Sequence, residues 1–325
     1  MRTLILILFT AAFLCRCDNA SVLYGGLGGH NNGDSTNDGA LSIVNQTTAA
    51  VTIVGHPANV SRISGLVFDS DGSLYATTNP SGGFPPPPGP TGASNLLRLN
   101  PLTGNTLSSL TISDGINGIS IADLALQPGT GTLFGIRGPN DQLGGQGKLY
   151  SINKTTGLAT LIGDTGDFFG SIAFAPNGTL YMSAADLDPS GDLTNIGLKR
   201  LNPANAATLS FVGTPDFFGA LAVRPEDSII FGDNGDFAKL FTINAVTGAE
   251  TLIGSTGRNF VGDLAFTPVP EPGTLALVSA LLGLLLLRFQ TKLWAIAPLA
   301  SPWRIGPHYN KVRGYPRQRQ RLRNL

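Results

Sequence analysis

Reactive residues and positive charge are scarce in this chain. Its 325 residues include two cysteines, Cys15 and Cys17, three histidines, two methionines and two tryptophans. A domain that starts after Cys17 has no disulfide, so a sizeable core must stabilise it instead. His30 and His56 are the histidines of the central region, in Gly-rich or Pro-flanked loops with no Ser or Cys elbow to serve. No nucleophile and base pair up. From Ala20 to Pro272 there are ten Lys or Arg against twenty Asp or Glu. That acidic balance excludes a nucleic-acid role, because phosphate binding needs the opposite sign. Long amphipathic helices are also lacking: charged residues are 13% of the chain, while Gly numbers 42 and Pro 22, the balance of short strands and tight turns.

What is present is a repeat, with a period of roughly 40 to 50 residues and strands only in its unit. A first apolar strand recurs at Gly65–Phe68, Asp123–Leu126, Ser171–Phe174, Ala220–Val223 and Asp263–Phe266. Tight turns such as Asp69–Gly72, Pro128–Gly131 and Pro176–Gly178 lead to second strands at 74–76, 133–135, 180–182 and 229–231. Third and fourth strands form a hairpin around Asn-x-x-Thr-Gly, at Asn100–Gly104, Asn153–Gly157 and Asn244–Gly248, with weaker copies at Asn202 and Asn45. The last first-type strand has no second strand after it. Val22–Gly25, near the start, is a second-type strand without a first. Paired, they close an all-β, five-bladed β-propeller over residues 21–268 through its N- and C-terminal strands and leave no open sheet edge at the join. Six blades or an open solenoid are the alternatives. The pairs Phe-x-Pro-x-Gly-x-Leu-Tyr and Leu-Tyr-x-Ile-Asn-x-x-Thr-Gly resemble NHL-type and related bacterial propellers, a likeness that implies the fold and is nearly silent on function.

The two ends carry an address. Arg2 and the apolar run Leu4–Leu14 before Cys15-Arg16-Cys17 have the form of a secretory signal peptide over residues 1–17, with Cys15 and Cys17 at the small-residue positions. Cys15 also opens a lipoprotein reading, which Leu14 opposes. At the other end Val269-Pro270-Glu271-Pro272 precedes the apolar run Leu275–Leu287 and Arg288. That run is short for a spanning helix, yet prolines on one flank and positive charge on the other suit a segment whose C-terminus is cytoplasmic. Pro270, Glu271, Pro272, the apolar run and Arg288 resemble the PEP-CTERM sorting signal of Gram-negative bacteria. The resemblance implies a C-terminal transmembrane sorting segment over 269–289, an exosortase-type membrane protease as partner, and export to the cell surface or a polysaccharide matrix. Residues 290–325 depart from it, continuing as a basic tail of disordered composition.

Candidate sites are few. In a propeller the second-to-third and fourth-to-first connections share one face. Here they are long, at 26–39, 79–94, 138–147 and 185–196, so a ligand is expected there. Asp186, Asp188, Ser190 and Asp192 alternate oxygen ligands as the start of a calcium loop does, but Gly197 stands where the closing Glu belongs, and an ordinary Asp-rich turn fits as well. Asp123 and Asp263 begin inner strands, where they could face the channel mouth as metal ligands or a carboxylate pair, or bond local backbone amides. The repeated Asp167-Phe168-Phe169-Gly170 and Asp216-Phe217-Phe218-Gly219 read as packing between blades. Glu226 and Glu250 fall on a tight turn and an outer strand, on the wrong side for a glycosidase pair. The expectation is a non-enzymatic binding or structural module with no cofactor beyond calcium. The alternative is a calcium-dependent lactonase or glycosidase.

Overall fold

The structure, a computed structural model, describes residues 20–28, 36–78, 92–138, 147–235, 238–257, 261–269 and 282. One compact unit spans Met1–Val269 and a second spans Pro270–Leu325, of which Leu282 alone is described, as helical. Among the described residues the first unit has twenty strands in five four-stranded antiparallel sheets. Blade 1 is β4 (Ile63–Phe68), β5 (Leu74–Thr78), β6 (Asn95–Leu99) and β7 (Thr106–Thr111). Blade 2 is β8 (Ile121–Leu126), β9 (Leu133–Arg137), β10 (Lys148–Ile152) and β11 (Ala159–Asp164). Blade 3 is β12 (Phe169–Phe174), β13 (Leu180–Leu187), β14 (Leu193–Leu201) and β15 (Thr208–Gly213). Blade 4 is β16 (Ala220–Val223), β17 (Ile230–Asp233), β18 (Lys239–Ile243) and β19 (Glu250–Ser255). Blade 5 joins the chain's two ends: β20 (Val261–Phe266) pairs with β1 (Leu23–Leu27), then β2 (Leu41–Val44) and β3 (Val51–Gly55).

The register of that join is Leu23 opposite Phe266 and Gly25 opposite Leu264. The inner strands neighbour one another in the order β20, β4, β8, β12, β16 and back to β20, so the five-bladed ring is closed. Residue 21 is tied down just before β1. Glu226 accepts from its amide and from Ser21 Oγ (2.9 Å), and Gln46 Nε2 donates to its carbonyl at 2.6 Å.

The core lies between blades. Each of five buried apolar clusters bridges two neighbouring sheets, as when Leu23, Leu27 and Val261 of blade 5 meet Ala222, Phe231 and Leu240 of blade 4. One aromatic position repeats around the ring: the second residue of each second strand packs on the last residue of the next inner strand. Tyr24 meets Phe68, Phe134 meets Phe174 and Phe231 meets Phe266, edge to face at 5.1 to 5.3 Å. Tyr75 with Leu126 and Tyr181 with Val223 share the remaining two clusters. Each aromatic pair adds roughly 0.5–1.5 kcal/mol beyond the area it buries.

The hairpin motif builds a second seam further out. Asn45, Asn100, Asn153, Asn202 and Asn244 each accept with Oδ1 from the amide two residues on, at 2.8 to 3.0 Å. Each turn closes on a residue of positive φ: Ala49, Gly104, Gly157, Ala206 and Gly248. Against that residue or its neighbour presses the end of the preceding blade's outer strand. A Cβ on Gly55 would stand 2.0 Å from Thr103 O, one on Gly163 2.2 Å from Asn205 O, and one on Gly254 2.6 Å from Thr48 O. The Gly that ends Thr-Leu-Ile-Gly at 163 and 254, and Thr-Ile-Val-Gly at 55, is thus a blade-to-blade contact, made where backbone meets backbone.

Candidate functional site

The connections 29–35, 79–91 and 139–146 of the long-loop face lie outside the described residues. The fourth expected loop is a correction. Residues 185–196 are mostly strand: β13 and β14 run on past a bulge, pair Asp186 with Thr194 and Leu187 with Leu193, and turn at Asp188–Asp192. The Asp-Pro-Ser-Gly composition hid this, because it marks the turn and not the length of the strands that reach it. Asp188 Oδ1 caps the turn, accepting from Ser190 N at 2.8 Å and Asp192 N at 2.9 Å. Asp186 accepts from Phe168 N at 3.1 Å and Asn195 Nδ2 at 3.0 Å. Of the side chains proposed for calcium, Asp186 and Asp188 therefore tie the hairpin tip together. Among the described residues no three His, Cys, Asp or Glu side chains gather as a metal site requires.

Asp123 and Asp263 do come together. Both are buried, at 1% and 0% exposure, and their carboxyl groups hydrogen-bond to each other. They also bond backbone amides: Asp123 accepts from Leu124 N at 2.5 Å and Ile172 N at 2.7 Å, Asp263 from Leu264 N at 2.7 Å and from Leu66 N. The two sequence readings, carboxylate pair and strand-entrance bonding, describe one arrangement. Burial raises Asp123 to about 7, and burial together with the charge of Asp123 holds Asp263 well above the carboxylate range.

Two more buried carboxyls escaped sequence reasoning. Asp233 is fully buried; Oδ1 accepts from Gly235 N at 2.9 Å, Oδ2 has no hydrogen-bond partner, and burial lifts the group to about 7. The available signal was positional, since other second strands carry Gly26, Thr77, Ile136 and Ser183 there. Asp167 is ion-paired to Lys199 at 2.5 Å, and burial still holds it above its ordinary value. Of the repeated Phe pairs, Phe218 is buried against Phe241 in the core between blades 3 and 4. Glu250 accepts from Asp216 N at 3.0 Å.

Residues 1–17, expected as a signal peptide, and Pro270, Glu271, Pro272, Arg288 and residues 290–325 lie outside the described residues. Among those described, no helix is long and apolar enough to cross a membrane.

No family model and no curated protein matches the chain. Among solved structures it is similar to one from a nidogen–laminin complex, at 13% identity over 76% of this chain and 98% of that one, TM-score 0.47. A protein of unknown function from Bacteroides caccae matches at 13% identity over 77% and 99%, TM-score 0.43. The glutaminyl cyclase of Myxococcus xanthus matches at 15% identity over 59% and 68%, TM-score 0.39. Likenesses this distant carry nothing about ligand or reaction to this chain.

Proposed function

We infer that this chain is a binding or structural module, exported and held at a bacterial surface by its C-terminal segment, with extracellular polysaccharide as the ligand class. One observation carries the reading. The start of β1 and the end of β20 lie side by side, Val22 N donating to Thr267 Oγ1 at 2.8 Å and Thr267 N to Val22 O at 2.9 Å. They sit at the end of blade 5 where the other blades make their short first-to-second turns. The long connections leave from the opposite ends of these strands, and a rigid ring that gathers its variable loops on one face is the arrangement a binding scaffold needs.

The sorting resemblance at Pro270-Glu271-Pro272 and Arg288 supplies the address, and exosortase processing is part of the proposal. A calcium-dependent hydrolase would need carboxylates open to a substrate, whereas Asp123 and Asp263 are buried and bonded to amides. No described geometry favours that reading. The test is a polysaccharide pull-down and glycan array with the exported protein, repeated after the 79–94 connection is shortened. Binding that the shortening abolishes supports the face assignment. No retention of any glycan overturns the binding version, and alanines at 270–272 that leave surface delivery unchanged overturn the address.

A further inference from the structure

One register position of the inner strands carries Gly65, Asp123, Ser171, Ala220 and Asp263. Where the side chain has an oxygen it reaches the next blade. Ser171 Oγ donates to Phe218 O at 2.8 Å, Asp123 accepts from Ile172 N, and Asp263 accepts from Leu66 N. Blade 1 lies between the blades of the two aspartates, and its Gly65 adds no side chain there. A Cβ on Gly65 would stand 3.0 Å from Leu124 N, the amide that Asp123 holds. The two carboxyl groups bond to each other, and two carboxyl groups can hydrogen-bond only while at least one carries a proton.

The location matters because neighbouring blades are joined by the backbone, as β3 is to β4 and β19 to β20. The ring has a different kind of join inside blade 5, where β20 and β1 pair without a chain connection between them. Through Asp263 the C-terminal strand is fastened to Leu66 of blade 1 and Asp123 of blade 2, both on the far side of that join. We propose that the proton held between Asp123 and Asp263 is a latch on this non-covalent closure, and that the ring loosens at β20 and β1 when the pair gives it up.

From the strands packed on the pair, β4 and β12 present backbone amides. Among the described residues no titratable side chain other than its partner acts on either carboxyl. Both groups sit above their ordinary value in the closed ring and return to it on opening. A group raised in the closed form stabilises that form at low pH, and the benefit is lost as pH rises through the raised value. Because both groups are held above their ordinary value only in the closed ring, opening at neutral pH and above releases the proton that the pair still holds and becomes easier as pH rises.

Native-state hydrogen exchange on the full-length chain in mild detergent, at pH 7, 8 and 9 with the intrinsic rate divided out, tests this. The amides of Leu264 and Ala265 in β20 and Tyr24 in β1 should lose protection progressively as pH rises, while Met182 in β13 holds. In Asp263→Asn, which keeps a donor toward Asp123 and has no proton to lose, that slope should vanish. Equal losses in β20 and β13, no loss in β20, or an Asp263→Asn chain that keeps the slope would each overturn the latch. If Asp263→Asn does not fold, the wild-type comparison of β20 with β13 decides alone.

Discussion

Replacing Gly55 with alanine tests whether the repeat glycines are blade-to-blade contacts. The added Cβ would lie 2.0 Å from the carbonyl oxygen of Thr103 and 2.9 Å from its carbon, both backbone atoms. That carbonyl belongs to a turn closed by Gly104 N donating to Asn100 O at 2.8 Å, so it has no flexible side chain to swing aside. Relief needs a separation of roughly 1 Å between blades 5 and 1, and a gap of that order forfeits a quarter to a half of the contact energy along the seam. The cost belongs at the upper end of overpacking penalties, about 3 kcal/mol. For a domain of this size that is roughly 6–12 °C in Tm. Gly163→Ala, aimed at Asn205 O from 2.2 Å, should cost nearly as much at the seam between blades 2 and 3. The control is Gly72→Ala: φ is +82° and nothing lies within 4 Å, so only the left-handed backbone cost of about 1–2 kcal/mol applies. Denaturant midpoints of the three variants decide. A Gly55→Ala chain no less stable than Gly72→Ala would refute the seam argument.

Other outcomes follow from single sites. Asp233, raised to about 7, binds a proton in the folded state that the unfolded chain has released above pH 4. Stability present at pH 4 should therefore fall by on the order of 4 kcal/mol by pH 7, and Asp233→Asn should flatten that share of the curve; parallel wild-type and variant profiles would exclude it. Phe134→Ala, which empties an edge-to-face contact with Phe174 at 5.1 Å, should cost about 3–5 kcal/mol in urea unfolding, whereas Leu102→Ser at an exposed turn tip should stay within about 0.5 kcal/mol. Asp188→Ala removes the acceptor for two turn amides and should cost about 1 kcal/mol. Calcium should leave the wild-type melting midpoint unmoved, and a rise that Asp188→Ala abolishes would make the hairpin tip a cation site.

The ring itself was legible because its closure follows from counting. Five first-type strands, and a lone second-type strand at Val22–Gly25, leave Asp263–Phe266 one free partner, and the observed register joins them. The Asn-x-x-Thr-Gly motif was legible as a turn but not as a seam. Why Gly must follow Thr-Leu-Ile appears only when Gly163 and Asn205, far apart in the chain, are in contact. Blade 3 was misread past Ala185, because whether residues near a turn pair as strand is set by the partner across the hairpin. The meeting of Asp123 and Asp263 was open to sequence reasoning only as an alternative. Spacing puts them two blades apart, and their encounter is set by the way the closed ring brings the inner strands together.

Most positions of the repeat are occupied by what the seams demand, and they tolerate little choice. Even the two weak hairpins keep their Asn and hold alanine at positive φ, +61° at Ala49 and +62° at Ala206, sooner than change the turn. The inner-strand position of Gly65, Asp123, Ser171, Ala220 and Asp263 obeys no such rule, although it sits at the centre of the ring. Packing alone would favour five small residues there, since each buried carboxyl must be desolvated and bonded. Two aspartates at this position add a cost to folding that hydrogen bonds to four amides and to each other offset only while a proton is present. A five-fold scaffold that departs from its own repeat at the axis has a property the repeat does not supply, namely a closure whose strength depends on pH.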